Sequence, residues 1–239
     1  MVAEPHILIV EDESDISELI RFHVEREGFK AKTVHSGRIA LDVIAREQPM
    51  LLVLDLMLPD LEGLEVCRRL KWDQETRHIP ILIVSAKGEE ADIVTGIELG
   101  ADDYVTKPFS PKELMARLKN ILRRQRELVP AGAADGAKLS LIGGELSIDA
   151  GRHVVAVKGE PVDLTLTEFG ILHYLAEKPG FVRTRDQIIA AVHGDSAVLS
   201  TRTVDVHITS LRRKLGELGK AVETVRGVGY RLAEQSGRA

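Results

Sequence analysis

The chain has 239 residues, enough for one large domain or two ordinary ones. An apolar share of 44%, a charged share of 29% and a formal net charge of −5 exclude collagen-like and strongly disordered classes. No run approaches the length of a membrane span, the single cysteine (Cys67) excludes an intrachain disulfide, and Met1 to Ile7 lack a secretory pattern, so a cytoplasmic protein with no membrane partner is expected.

In chain order, His6–Val10 is a short apolar run that meets Glu11, Asp12 and Glu13 at once. Residues 15–26 have helical spacing, with Ile16, Leu19, Ile20 and Val24 on one face, and Gly28 ends that helix. A strand at 29–34 and a helix at 37–46 follow. Met50–Leu54 is five apolar residues ending in Asp55, as in a strand buried on both faces of a parallel sheet. A helix at about 63–71, a strand at Ile79–Val84, a helix at 89–99, a short strand at about 103–105 and a helix with Pro111 in its first turn complete the first half. Cys67 falls among the apolar residues of its helix, as a buried structural thiol would.

Five strands alternating with five helices predict an α/β, flavodoxin-like doubly wound sheet of order 2-1-3-4-5. Asp55 then lies beside Glu11 and Asp12, with Ser85 and Lys107 on the same rim. Three crowded carboxylates repel one another and favour a hard divalent cation, Mg²⁺, bound through oxygen. A carboxylate nucleophile can accept a phosphoryl group, whose oxygens Lys107 and the Ser85 hydroxyl would contact.

These residues resemble the receiver domain of two-component response regulators over 6–126. The string Gly100-Ala101-Asp102-Asp103-Tyr104-Val105-Thr106-Lys107-Pro108-Phe109 is that family's most specific one. The resemblance implies that Asp55 is the phosphoacceptor, that Glu11 and Asp12 with the Met57 carbonyl bind metal, and that Ser85 and Tyr104 are the switch pair. It implies that Lys107 precedes a cis proline and that a sensor histidine kinase is the phosphoryl donor. It further implies that Asp102, Asp103, Glu113, Arg117 and Arg123 pair across a homodimer formed on phosphorylation.

Residues 127–137 contain Pro130 and two glycines without apolar periodicity, and read as a flexible linker between a domain at 1–126 and one at 138–233, with 234–239 a tail. Short strands are expected at about 139–141, 146–148, 153–157 and 161–163. Thr165 and Glu168 have capping-box spacing at the start of an amphipathic helix stopped by Pro179-Gly180. Helices at about 184–192 and 201–215 and strands at 222–225 and 229–232 follow. Within 201–232 there are 7 basic residues against 3 acidic, an excess suited to a polyanion. On the third helix Val204, Ile208, Leu211 and Leu215 share an apolar face. The opposite face carries Arg202, Val206, Thr209, Ser210 and Arg213, with Arg212 on its flank: guanidiniums for phosphate or guanine, hydroxyls for base edges, a valine for thymine methyls.

This half is a winged helix-turn-helix and resembles the OmpR/PhoB-type DNA-binding domain, through Arg202–Ile208 and Glu223–Arg231. The resemblance implies promoter contact by Arg202, Val206, His207, Thr209, Ser210, Arg212 and Arg213 in the major groove. It gives Thr224 and Arg226 of the wing the backbone and minor groove. Many relatives carry arginines at Thr209 and Ser210, and most carry tryptophan at His193, before a loop that in activators meets RNA polymerase. Thr76–Pro80 and Ala86–Glu90 resemble members that control phosphate-starvation genes. The function expected is a phosphorylation-activated transcription factor rather than an enzyme. A Mg-dependent aspartyl-phosphate phosphatase is the alternative, disfavoured because Met57 stands where such enzymes carry a second Asp.

Overall fold

The computed structural model describes residues 5–127, 138–193 and 201–234, without the side chains at 124, 126, 127, 193, 201 and 202. The expected linker from 128 onward, the loop from 194 and the tail from 235 lie outside the described residues. The chain divides into two compact units, Met1–Leu122 and Arg123–Ala239.

Residues 5–127 alternate β1 (Ile7–Val10), α1 (Ser14–Arg26), β2 (Ala31–Val34), α2 (Gly37–Glu47), β3 (Leu51–Leu54), α3 (Gly63–Trp72), β4 (Ile81–Ser85), α4 (Glu90–Glu98), β5 (Asp103–Thr106) and α5 (Pro111–Glu127). The strands are parallel in the order β2-β1-β3-β4-β5. Every residue of β1, β3 and β4 is buried, which is why they read as unbroken apolar runs rather than alternating ones. β4 begins two residues later than expected. Pro80 has no N–H for the ladder and contributes only its carbonyl, which accepts from the Leu52 amide at 2.9 Å.

The second unit opens with an antiparallel sheet of β6 (Lys138–Leu141), β7 (Leu146–Asp149), β8 (Val154–Val157) and β9 (Glu160–Val162). Three helices follow, α6 (Leu166–Ala176), α7 (Arg185–His193) and α8 (Thr201–Lys214). They bury Phe169, Leu172, Ile188, Ile208 and Leu211 in one core, and Val204, Ile208, Leu211 and Leu215 of α8 face inward as their spacing requires. β11 (Val222–Val225) and β12 (Gly229–Leu232) form the wing hairpin. A third strand, β10 (Arg183–Thr184), pairs with β12 and is too short to leave any periodicity in the sequence. Its approach demands Gly229, where a Cβ would sit 2.0 Å from the Arg183 carbonyl oxygen.

Candidate functional site

The parallel register brings the C-terminal ends of β1, β3, β4 and β5 to one rim, placing Glu11, Asp55, Ser85 and Lys107 together. Glu11 and Asp55 are buried, as is Ser85. One carboxylate oxygen each from Glu11, Asp12 and Asp55 lies within 4.8 Å of the others. Lys107 Nζ donates to Asp55 Oδ2 at 2.7 Å and to Glu11 Oε1 at 2.8 Å, and the Met57 amide donates to Asp55 Oδ1 at 3.0 Å. The Lys107–Pro108 peptide is cis, as the resemblance implied.

Burial pushes the Glu11 carboxyl up to about 7 against the Lys107 hydrogen bond, and the Asp55 charge adds to the rise. Burial alone would lower Lys107, but its hydrogen bonds to Asp55 and Glu11 outweigh that and leave it raised. Glu11 Oε2 is buried without a hydrogen-bond partner among the described residues. An all-oxygen donor set holding an unsatisfied buried oxygen fits a hard divalent cation.

Two further residues shape this rim that the sequence did not flag. Gly63 closes the β3–α3 loop, where a Cβ would lie 2.1 Å from the Asp55 carbonyl oxygen. Asp60 accepts from Ser36 Oγ at 2.7 Å and from the Gly37 amide at 2.9 Å, tying the same loop to the start of α2. A carboxylate directly after the Leu58-Pro59 pair was the only available signal, and it does not name its partner.

Tyr104 is turned inward. Its hydroxyl donates to the Lys87 carbonyl at 2.6 Å, and burial pushes it up to about 12 although the Ser85 hydroxyl beside it acts the other way. The ring packs where α4 carries Gly96, whose Cβ would lie 3.2 Å from Tyr104 Cδ2 and 2.8 Å from Ile83 Cδ1.

The charges assigned to a dimer divide. Asp102 is fully buried: its Oδ2 accepts from the Ile81 amide at 2.9 Å and lies 3.6 Å from Lys71 Nζ. It anchors the start of β4 and is not surface for a partner, which corrects that expectation. Asp103 and Arg117 are also buried and pair with each other at 3.0 Å, with Arg117 bonding Glu113 as well. Of the five, Arg123 is exposed and Glu113 is partly so.

The outward face of α8, expected to meet a major groove, is narrower than the sequence suggested. His207 and Ser210 are each 2% exposed and belong to the inside, so neither is placed to reach a base. Ser210 Oγ donates to Glu168 Oε1 at 2.6 Å, and Glu168 Oε2 accepts from Lys214 Nζ at 2.6 Å. Glu168 also completes the capping box with Thr165. Arg212 is half-buried: Nε and Nη2 donate to the Val222 carbonyl at 2.9 and 2.6 Å, and Nη2 reaches Thr224 Oγ1 at 2.8 Å. It holds the wing to α8 instead of projecting from the face. Thr209 and Arg213 are exposed and Val206 is half-buried, one helical stripe. Thr224 and Arg226 are exposed on the wing, while the Arg202 side chain lies outside the described residues. Asp205 ties α7, α8 and β12 together, accepting from Arg185 Nε at 2.6 Å and the Tyr230 hydroxyl at 2.7 Å.

Comparison with known proteins agrees with both halves. Residues 7–119 match the response regulator receiver domain, and residues 159–232 match the C-terminal domain of transcriptional regulatory proteins. The chain is 44% identical over 229 residues to the sensory transduction protein RegX3 of Mycolicibacterium smegmatis, covering 95% of this chain and 98% of that protein. It is 42% identical to the phosphate regulon transcriptional regulatory protein PhoB of Pseudomonas aeruginosa, covering 96% and 98%. It is also 42% identical to the alkaline phosphatase synthesis transcriptional regulatory protein PhoP of Bacillus subtilis, covering 95% and 96%. Among solved structures, a RitR mutant is similar at a TM-score of 0.71 and 26% identity, covering 96% of this chain and 99% of that one. The OmpR/PhoB homologue DrrB of Thermotoga maritima is similar at 0.50 and 31%, with the same coverage. With a receiver matched in the first unit and a transcriptional-regulator domain in the second, the chain belongs to the OmpR/PhoB family of response regulators.

Proposed function

We propose that this regulator is switched by phosphorylation of Asp55. The observation that carries the reading is the Asp55 carboxylate held 2.7 Å from Lys107 Nζ, with Glu11 and Asp12 oxygens within 4.8 Å. An Asp55 oxygen attacks the phosphorus of a phosphohistidine on a sensor histidine kinase; the new P–O bond forms as the P–N bond breaks and the imidazole leaves. Glu11, Asp12 and Asp55, with the Met57 carbonyl, would hold Mg²⁺, and a bound ion would supply positive charge for the phosphoryl oxygens. Lys107 contacts the same oxygens and balances the charge that develops on them. The Ser85 hydroxyl then engages the phosphoryl group, and inward Tyr104 reports this to the surface of α4, β5 and α5.

Phosphorylation promotes a receiver homodimer to which Glu113 and Arg123 contribute. Asp103 and Arg117 join only by opening their internal pair. The dimer places two winged helices on tandem promoter half-sites, where tethering makes the second binding event intramolecular. The acyl phosphate is a signal and not a step in turnover, so the chain acts as a regulator and not as an enzyme. Among the described residues no helix is long and apolar enough to cross a membrane. Control of phosphate-responsive promoters is supported by the names of the PhoB and PhoP relatives, and a cytoplasmic location with RNA polymerase as a partner belongs to the same proposal.

Acetyl phosphate should give the full-length protein a base-labile phosphoryl group, dimerise it and tighten promoter binding, and Asp55→Ala should abolish all three. Asp55→Ala protein that dimerised and bound as the treated wild type does would overturn the switch.

A further inference from the structure

The outward stripe of α8 is short of hydrogen-bond donors at its centre. Thr209 is exposed, but its Oγ1 donates to the Asp205 carbonyl at 2.9 Å, one turn back. That bond uses the hydroxyl's only hydrogen and turns the oxygen toward the helix's own backbone. The γ-methyl is what Thr209 then offers to a groove. Val206, one turn earlier on the same stripe, carries no polar atom. The neighbouring polar groups are committed elsewhere: Ser210 to Glu168, Arg212 to the Val222 carbonyl, Asp205 to Arg185 and Tyr230.

We infer that this chain reads the centre of each half-site through methyl contact, Thr209 and Val206 packing against the C5-methyl groups of thymines. The inference deepens the DNA-binding reading above and rests on it. In the major groove the thymine methyl is the one apolar feature of a base-pair edge, and a threonine methyl or an aliphatic side chain is its complement. Cytosine at the same place would leave the methyl groups facing a bare C5–H. The specificity determinant is therefore a donor-poor patch, flanked at the C-terminal end of the helix by the exposed Arg213.

The test uses the full-length, acetyl-phosphate-treated protein and duplexes it selects from a random-sequence pool. Each selected thymine is replaced in turn by deoxyuridine, which removes only the methyl group. At one or two adjacent positions per half-site affinity should fall about fourfold, the worth of one buried methyl group. Thr209→Ser, which keeps the hydroxyl and loses the methyl, should abolish the thymine–uracil difference at one of those positions. Thr209→Val, which keeps a methyl and loses the hydroxyl, should preserve it. Uniform indifference to deoxyuridine would overturn the inference, as would a Thr209→Ser protein that kept the wild-type difference at every position. Selection of no duplex at all would overturn the DNA-binding reading itself, and this inference with it.

Discussion

Ser210 donates its hydroxyl to Glu168 at 2.6 Å, joining the middle of α8 to the first turn of α6. The same carboxylate caps α6 and accepts from Lys214, so one buried group fixes both the helix start and the rotation of α8 about its axis. That rotation decides which side chains of α8 face outward.

The Glu168 tie should be pH-dependent. Burial opposes its ionisation, but Lys214, Ser210 and the Thr165 amide outweigh burial and hold the carboxyl below its ordinary value near 4.5. A depressed folded-state value contributes stability that is fully present above the ordinary value and is lost as pH falls through the folded one. Glu168→Gln should therefore destabilise the second unit at pH 7 by about 2 kcal/mol, with the gap narrowing below about pH 4.5. Hydrogen exchange of α8 amides measured across pH would show it, and a gap independent of pH would contradict it.

Gly96→Ala should separate phosphorylation from output. The added Cβ would press on Ile83 and on the inward Tyr104 ring, while Asp55, Glu11 and Lys107 are untouched. Acetyl phosphate should still label Asp55 at near wild-type rate, with the gain in promoter affinity reduced about tenfold, a shift of about 1.4 kcal/mol. Equal losses in labelling and binding would point to general damage.

Arg212 should act through the wing. Arg212→Ala removes both bonds to the Val222 carbonyl and the contact with Thr224, and should weaken DNA binding about three- to tenfold without altering Asp55 labelling. Arg212→Lys should not restore affinity, because a point ammonium cannot reproduce the guanidinium fork. Gel-shift titrations of the phosphorylated proteins would decide.

Cys67 should be inert in the native state. It is fully buried, and burial pushes its thiol up to about 12, so almost no thiolate exists at neutral pH. Reaction with a disulfide reagent should proceed only at the rate of opening of the first unit and become immediate in denaturant.

Much of the rim was legible because a doubly wound topology converts sequence position into spatial position. A residue just after an apolar run must stand at the C-terminal edge, so Glu11, Asp55, Ser85 and Lys107 could be grouped without coordinates. The Thr165–Glu168 cap was legible for a similar reason, since its partners lie three residues apart. The flanks of helices were not. Position 210 follows Thr209 by one residue, and periodicity alone places it near the boundary between inner and outer faces. A carboxylate 42 residues earlier in the chain draws it inside. Asp102 read as a surface charge, because nothing nearby in sequence announces that the Ile81 amide and Lys71 will meet it in the interior.

The sequence by itself determined the order of elements, the rim chemistry and the inward stripe of α8, because these follow from local periodicity and strand ends. Only the tertiary structure decided which polar side chains are used up inside. Burial makes an unmet hydrogen bond costly, and the partner that meets it is chosen by packing between elements far apart in the chain.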